Sequence, residues 1–209
     1  MTKILIADDH PIVREGLKRV LLGLPNAIVD EASSSQEVLN KVWKSDYDVI
    51  LLDISLPDRS GLETLGELKK AKPDLHVLMI TMHSEEQYAV RAMRAGASGY
   101  LTKESAPDEL VAAIRTVSQG RKYISPSLAE KLAFALEVDA EKALHEALSD
   151  REYQVMCMIA SGKPPTEIAR EVMLSVKTIS TYRSRILSKM RMKSNAELTR
   201  YAIKNGLVD

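Results

Sequence analysis

The sequence predicts an α/β protein: a doubly wound, five-stranded parallel sheet followed by a second, smaller all-α domain. Three observations carry this. Apolar runs continuous enough for strands buried on both faces recur through the first half, as KILIADD from Lys3, DVILLD from Asp48, HVLMIT from His76 and GYLTK from Gly99. Segments with helical spacing separate them, and such alternation predicts parallel strands joined by right-handed crossovers. From Leu148 onward only helical periods remain, interrupted by turn and cap residues.

The elements follow in order. After the first strand, His10 to Leu22 carries Val13, Leu17, Val20 and Leu21 at helical spacing. IVDEA, at about residues 28 to 32, supplies a further strand, and Ser35 to Lys44 a helix with Val38, Leu39 and Val42 inward. DVILLD, HVLMIT and GYLTK precede helices over Ser60 to Ala71, Ser84 to Ala95 and Ala106 to Gln119, with Gly96 and Gly120 at helix stops. Residues 1–120 thus form one domain. Residues 121–147 read as a linker, partly helical and without a strand. Residues 148–209 form the second domain. There, Leu148, Val155, Met158 and Ile159 share a face, Ser149 and Glu152 have capping-box spacing, and Gly162 is a stop. Thr166 to Val172 is a short helix, LSVKT a turn with Ser175 as N-cap, and Val176 to Met190 a helix burying Ile179, Tyr182, Ile186, Leu187 and Met190. A last helix runs from about Asn195 to Asn205, with Leu198, Tyr201, Ala202 and Ile203 as its apolar positions.

Composition narrows the function classes. The lone Cys157 cannot form an internal disulfide, no 18-residue apolar stretch exists, and MTKILIADDH carries acids where a signal peptide would be apolar. The expectation is a cytoplasmic protein without a membrane partner. A net charge of zero hides an asymmetry: Ser149 to Asp209 has 11 Lys+Arg against 6 Asp+Glu, a net +5, which leaves 18 against 23, a net −5, for the rest. No acid falls between Glu171 and Glu197, where Lys177, Arg183, Arg185, Lys189, Arg191 and Lys193 lie. A helix-turn-helix with a basic second helix is expected to track double-stranded DNA.

The strand ends carry the other chemistry. Ligands of parallel sheets bind outside the carboxyl ends of the strands, which here end on Asp8 and Asp9, Asp53, Thr81 and Lys103. Clustered carboxylates repel unless a cation sits among them, and hard oxygen ligands suit Mg²⁺. Taken singly, each residue also has a plain role: strand-end caps, an acid before a turn at Pro57 and Gly61, a solvated lysine. Their joint order points to a site that holds a phosphoryl group.

On these motifs the chain resembles a NarL/FixJ-type two-component response regulator, a flavodoxin-like receiver followed by a LuxR-type helix-turn-helix, over nearly its whole length. The resemblance implies that Asp53 is the phosphoacceptor, with Asp8, Asp9, Asp53 and the backbone carbonyl of Ser55 holding Mg²⁺ or Mn²⁺. It makes Thr81 the switch hydroxyl, Lys103 the phosphoryl-binding cation, and Tyr100 an aromatic that changes orientation. Otherwise Tyr100 is a packing aromatic of a strand. His83 falls where similar receivers tune phosphoryl hydrolysis, or is an exposed loop histidine. On the second domain, the resemblance assigns Ser180, Thr181 and Ser184 to the groove floor. It assigns Lys177, Arg183, Arg185 and Lys189 to the phosphates and counts Thr178 among the DNA-binding residues. It further implies a sensor histidine kinase as partner and a homodimer on phosphorylation or on DNA, paired through the last helix. The linker helix near Leu128 to Leu136 and the receiver would cover that helix, or hold it away from its twin, before phosphorylation. Three departures stand out: Pro164, Pro165 and Thr166 replace the usual Ser-Asn-Lys, Lys103 is followed by Glu104 where many receivers have proline, and position 182 is Tyr where His is frequent.

The function expected is a transcription factor controlled by phosphorylation of Asp53, and not an enzyme beyond the receiver's chemistry on itself. One rival is an aspartyl-phosphate phosphatase of the haloacid dehalogenase type. That class places its two acids one residue apart and carries a cap, whereas Asp8 and Asp9 are adjacent and no cap insert exists. The other, a phosphorelay or protein-binding receiver, has no need of a basic helix.

Overall fold

The computed structural model describes residues 2–83, 85–137 and 144–208, leaving out side chains at 86, 87, 131 and 133–137. It divides into two compact units, Met1–Leu132 and Ala133–Asp209.

In the first unit β1 (Thr2–Ala7), β2 (Ala27–Ala32), β3 (Val49–Leu52), β4 (His76–Thr81) and β5 (Gly99–Thr102) form one sheet, all parallel, in the order β2-β1-β3-β4-β5. The helices between them are α1 (Pro11–Leu21), α2 (Ser35–Lys44), α3 (Gly61–Ala71), α4 (Glu85–Arg94) and α5 (Pro107–Ser118). Each lies where helical spacing predicts it; Ser84, the expected start of the fourth, is outside the described residues. Ile4, Ile6, Val49, Leu51, Leu78, Ile80 and Leu101 pack against Leu17 and Leu21 of α1 and Leu110, Ala113, Ile114 and Val117 of α5. Since both faces of the sheet are covered, the strands read as unbroken apolar runs. The strand order reverses between β1 and β3, so the carboxyl ends of these neighbours open on one crevice.

The segment after α5 is less detached than a linker without a strand. The Tyr123 N–H donates to the Ser98 carbonyl at 2.8 Å, and Tyr123 forms a parallel bridge with Gly99. Only glycine fits there, because a Cβ on Gly99 would stand 2.8 Å from the Tyr123 carbonyl oxygen. Ser125 donates to Glu85 at 2.7 Å and accepts from the Leu128 N–H at the start of α6 (Pro126–Glu137). The side chains of Ala133 to Leu136, named in the expectation of a covering linker helix, lie outside the described residues.

The second unit holds a 3₁₀ turn at Leu144–Ala147, then α7 (Asp150–Ala160), α8 (Pro165–Glu171), α9 (Val176–Lys189) and α10 (Asn195–Lys204). The expected capping box is complete: Ser149 accepts from the Glu152 N–H, and Glu152 accepts from the Ser149 N–H. Gly162, at φ +81°, closes the end of α7 in the left-handed region. α7 packs against α8, α9 and α10, sharing a core of Val155, Met156, Ile168, Ile179, Ile186, Leu198 and Ala202. One expectation for this unit is corrected. Tyr182 is only half-buried, because it turns toward a cleft on α9 instead of the α7 core. Of the apolar positions named on α10, Leu198 and Ala202 point inward and Ile203 is 54% exposed.

Candidate functional site

The first unit gathers its charges where the strand order reverses. Asp8 and Asp53 follow the last residues of neighbouring β1 and β3, and their backbone N–H groups are fixed by the Ala32 and Ala7 carbonyls. Both carboxylates are almost fully buried, at 0% and 1% exposure. Lys103, just past β5, donates from Nζ to Asp53 Oδ2 at 2.8 Å and lies 2.6 Å from Asp8 Oδ2 as an ion pair. Burial of this ammonium works to lower its pKa, but Asp53 and Asp8 outweigh burial and hold it above the ordinary lysine value. Asp9 lies beside them, and His10 Nδ1 stands 2.8 Å from Asp9 Oδ1.

Three carboxylates against one ammonium leave this crevice negative. Asp53 Oδ1 is buried with neither a hydrogen-bond nor an ion-pair partner among the described residues, while Asp8 Oδ2 and Asp9 Oδ1 are met by the ion-pair contacts to Lys103 and His10. Such an unpartnered oxygen is costly unless a ligand satisfies it. A donor set of oxygens with two or more carboxylates fits a hard divalent cation, and the ligand atoms of Asp8, Asp9, His10 and Asp53 all lie within 4.8 Å of one another.

The remaining residues expected at this site form a second layer. Thr81 ends β4 and is fully buried; the His83 N–H donates to its Oγ1 at 3.4 Å. Tyr100 on β5 is fully buried, and its hydroxyl donates to the His83 carbonyl at 2.9 Å. Ser55 Oγ hydrogen-bonds with His83 Nε2 at 3.0 Å. The structure therefore joins Asp8, Asp9, Asp53 and Lys103 directly, and links Ser55, Thr81 and Tyr100 to one another through His83.

Sequence reasoning passed over three supports. Arg14 donates to the Asp8 carbonyl at 2.7 Å and to Glu31 at 2.8 Å, fixing the loop that carries both acids. Asp58 accepts from the Ser35 and Gln36 N–H groups, pinning the loop after Asp53 to the amino end of α2. Burial works to raise the Asp58 pKa, but those N–H groups hold it below its ordinary value. His10 joins the acid cluster. Its signal was present: a proline after Asp-Asp-His keeps the histidine out of the helix.

The second unit offers a surface. A cleft of about 290 Å³ on α9 is lined by Ser175, Lys177, Thr178, Thr181, Tyr182 and Arg185. These are one helical face, since 178, 181, 182 and 185 follow helical spacing. Among the expected DNA contacts, Lys177, Ser180, Thr181, Ser184, Arg185 and Lys189 are exposed, and Thr178 and Arg183 are partly so. Ser180, Thr181 and Ser184 each donate to the carbonyl four residues back, at 3.1 Å. Two cations are already engaged within the unit. Lys189 donates to Glu152 at 2.6 Å, and Arg183 Nε to Asn195 Oδ1 at 2.7 Å. Lys189 thus belongs to the support of the α7 cap as well as to the basic stripe.

Comparison with known proteins agrees with this division. Residues 4–115 match the model described as response regulator receiver domain, and residues 146–202 the one described as bacterial regulatory proteins, luxR family. The chain is 37% identical over 209 residues to the response regulator UvrY of Escherichia coli (strain K12), covering 99% of this chain and 96% of that protein. It is 38% identical over 210 residues to the response regulator GacA of Pseudomonas protegens, covering 100% and 99%. Among solved structures, RcsB from Salmonella enterica serovar Typhimurium, bound to promoter rprA in the presence of the phosphomimetic BeF3-, matches with a TM-score of 0.64 and 26% identity. It covers 96% of this chain and 98% of that one.

Proposed function

Because the chain belongs to the response regulators that join a receiver domain to a luxR-family DNA-binding domain, we propose that it takes a phosphoryl group from a sensor histidine kinase onto Asp53 and thereby controls its binding to promoter DNA. One observation carries this reading: Asp53 has one oxygen held by Lys103 and the other buried and unpartnered in a crevice of acids. In the transfer, Asp53 Oδ1 attacks phosphorus, the bond from phosphorus to the kinase imidazole breaks, and the electron pair returns to that imidazole. Lys103 keeps the carboxylate in place and afterwards meets the phosphoryl oxygens, as Thr81 does. Asp8, Asp9, Asp53 and the Ser55 carbonyl would hold Mg²⁺, which when bound supplies the positive charge that screens the carboxylates from the incoming anion. This chemistry acts on the protein's own aspartate, so the reading is a transcription regulator and not an enzyme.

A new phosphate beside Lys103 and Thr81 would draw in the loop that His83 ties to Tyr100. On the output side, α9 would enter the major groove, and dimers would bind paired half-sites about one DNA turn apart. RcsB bound to a promoter with a phosphomimetic present is consistent with that use of the architecture. The reading puts the protein in the cytoplasm, within reach of both kinase and DNA; among the described residues no helix is long and apolar enough to cross a membrane. A small phosphodonor with Mg²⁺ should place one base-labile phosphate on the wild type and none on Asp53→Asn. The donor should tighten DNA binding by wild type about tenfold, a shift of ~1.4 kcal/mol, and leave Asp53→Asn unchanged. Equal labelling of the two would overturn the assignment.

A further inference from the structure

Resting on the reading of the acid crevice as a divalent-cation site, we infer that His10 is an additional ligand in it, one that makes the site distinguish ions accepting nitrogen, such as Co²⁺, Ni²⁺ and Zn²⁺, from Mg²⁺.

The inference starts from Asp8-Asp9-His10-Pro11. Pro11 opens α1, and the ring of a proline keeps the preceding residue in extended backbone. His10 accordingly sits at φ −90°, ψ 111°, outside the helix, with its N–H donating to Asp8 Oδ1 at 2.8 Å. That bond turns the imidazole back over the end of β1, so that Nδ1 stands 2.8 Å from Asp9 Oδ1 and 3.2 Å from Asp8 Oδ1. Ligands on one edge of an octahedral ion with bonds of about 2.1 Å lie about 3.0 Å apart. The two distances bracket that edge.

A second observation is independent of the imidazole's position. Asp53 Oδ1 is buried and unpartnered in the same cluster, so the crevice already points to a cation. What His10 adds is a nitrogen donor in an otherwise all-oxygen set. Nδ1–H donates toward the Asp8 and Asp9 carboxylate oxygens, which only accept, so a bound ion would take the place of that proton and the imidazole would keep its proton on Nε2. Mg²⁺ gains little from this, because it prefers oxygen and keeps its waters, whereas Co²⁺, Ni²⁺ and Zn²⁺ take imidazole readily. The competing reading makes His10 only a counter-charge to Asp8 and Asp9, and that would treat all divalent ions alike.

Calorimetric titration of the full-length protein with Mg²⁺ and with Co²⁺ decides between them. His10→Ala should weaken Co²⁺ by about tenfold or more and Mg²⁺ by less than about twofold. In proton spectra of the Co²⁺ form, the contact-shifted N–H of a bound imidazole should appear in wild type and vanish in His10→Ala. The side chain is 62% exposed, so its loss should spare the fold. Should circular dichroism show otherwise, His10→Asn, a favoured helix cap without the imidazole, carries the same expectation. Equal losses of Mg²⁺ and Co²⁺, or a persisting imidazole signal, would overturn the proposal. Asp9→Ala should lose both ions. If it binds both like wild type, the cation-site reading fails and His10 falls with it; if it loses both while His10→Ala changes neither, only His10 is wrongly assigned.

Discussion

The receiver crevice and the surface of α9 satisfy their polar groups in opposite ways. In the crevice, carboxylates at 0% and 1% exposure face a single ammonium, and Asp53 Oδ1 lacks any hydrogen-bond or ion-pair partner among the described residues. On α9 the hydroxyls of Ser180, Thr181 and Ser184 are exposed and already bonded to their own helix. The first site stores unfavourable interactions that a ligand relieves, so its function is visible in its own geometry. The second is content without DNA, and its function depends on a partner's shape. Stability should therefore respond strongly to substitutions in the crevice and weakly on the exposed hydroxyl-bearing side of α9.

The largest effect tests the crevice. Lys103→Met removes the ammonium that Asp8 and Asp53 share, and losing one partner of a buried ion pair costs on the order of 3 kcal/mol. Urea unfolding followed on the full chain should show the receiver transition shifted down by about that much, with the output transition in place. Added Mg²⁺ should restore part of the loss, because it supplies positive charge to the same oxygens. A variant as stable as wild type without Mg²⁺ would mean that the crevice is not strained, and the contrast with α9 would collapse.

An intermediate effect sits where the α9 stripe departs from the contrast. Lys189 holds Glu152, whose side chain is only 5% exposed and which closes the α7 capping box. Burial works to raise the Glu152 pKa, but Lys189 and the Ser149 N–H prevail and keep it below its ordinary 4.5. A carboxyl with a lowered folded-state pKa contributes stability that is fully present above the unfolded value and lost as pH falls through the folded one. The output domain should thus weaken below about pH 4.5. Lys189→Met should cost about 1 kcal/mol at neutral pH, a figure kept small because the lysine is 43% exposed, and should flatten the acid limb. Thermal melts of the output transition between pH 3 and 7 check both; an unchanged acid limb would detach Lys189 from the cap.

Much of this was legible in the chain because the two periods, continuous apolar runs and helical spacing, report burial directly. Asp53 and Lys103 could be placed in one crevice from strand order alone, since parallel strands share a carboxyl end. What stayed hidden depends on side-chain reach across loops. Asp58 is a turn residue by sequence, and nothing local says that it caps α2 from across the sheet edge. Lys189 follows the basic stripe in every respect except that Glu152, distant in sequence, folds beside its end. Tyr182 read as core because aromatic residues at helical spacing usually are, but here it lines the cleft with Lys177 and Arg185. Pairwise contacts between elements carry no periodic signature.

The smallest effect on stability should accompany a qualitative change in recognition. Ser184 spends its proton on the Ser180 carbonyl, which leaves its oxygen as an acceptor, and on the proposed docking that acceptor would meet the amino groups that adenine and cytosine present in the major groove. Ser184→Ala should leave the output transition within about 0.5 kcal/mol, on the stabilising side because alanine is the better helix former. The same variant should lose discrimination at one base position by about 1 kcal/mol, measured by selecting sites from random DNA. Lys177→Ala, whose target is expected to be a phosphate, should weaken all sequences alike and lower the salt slope by about one unit. If Ser184→Ala lowered affinity uniformly while Lys177→Ala altered sequence preference, α9 would be docked in another rotation, with its hydroxyls toward the DNA backbone. In that case base reading would have to come from the opposite edge of the helix.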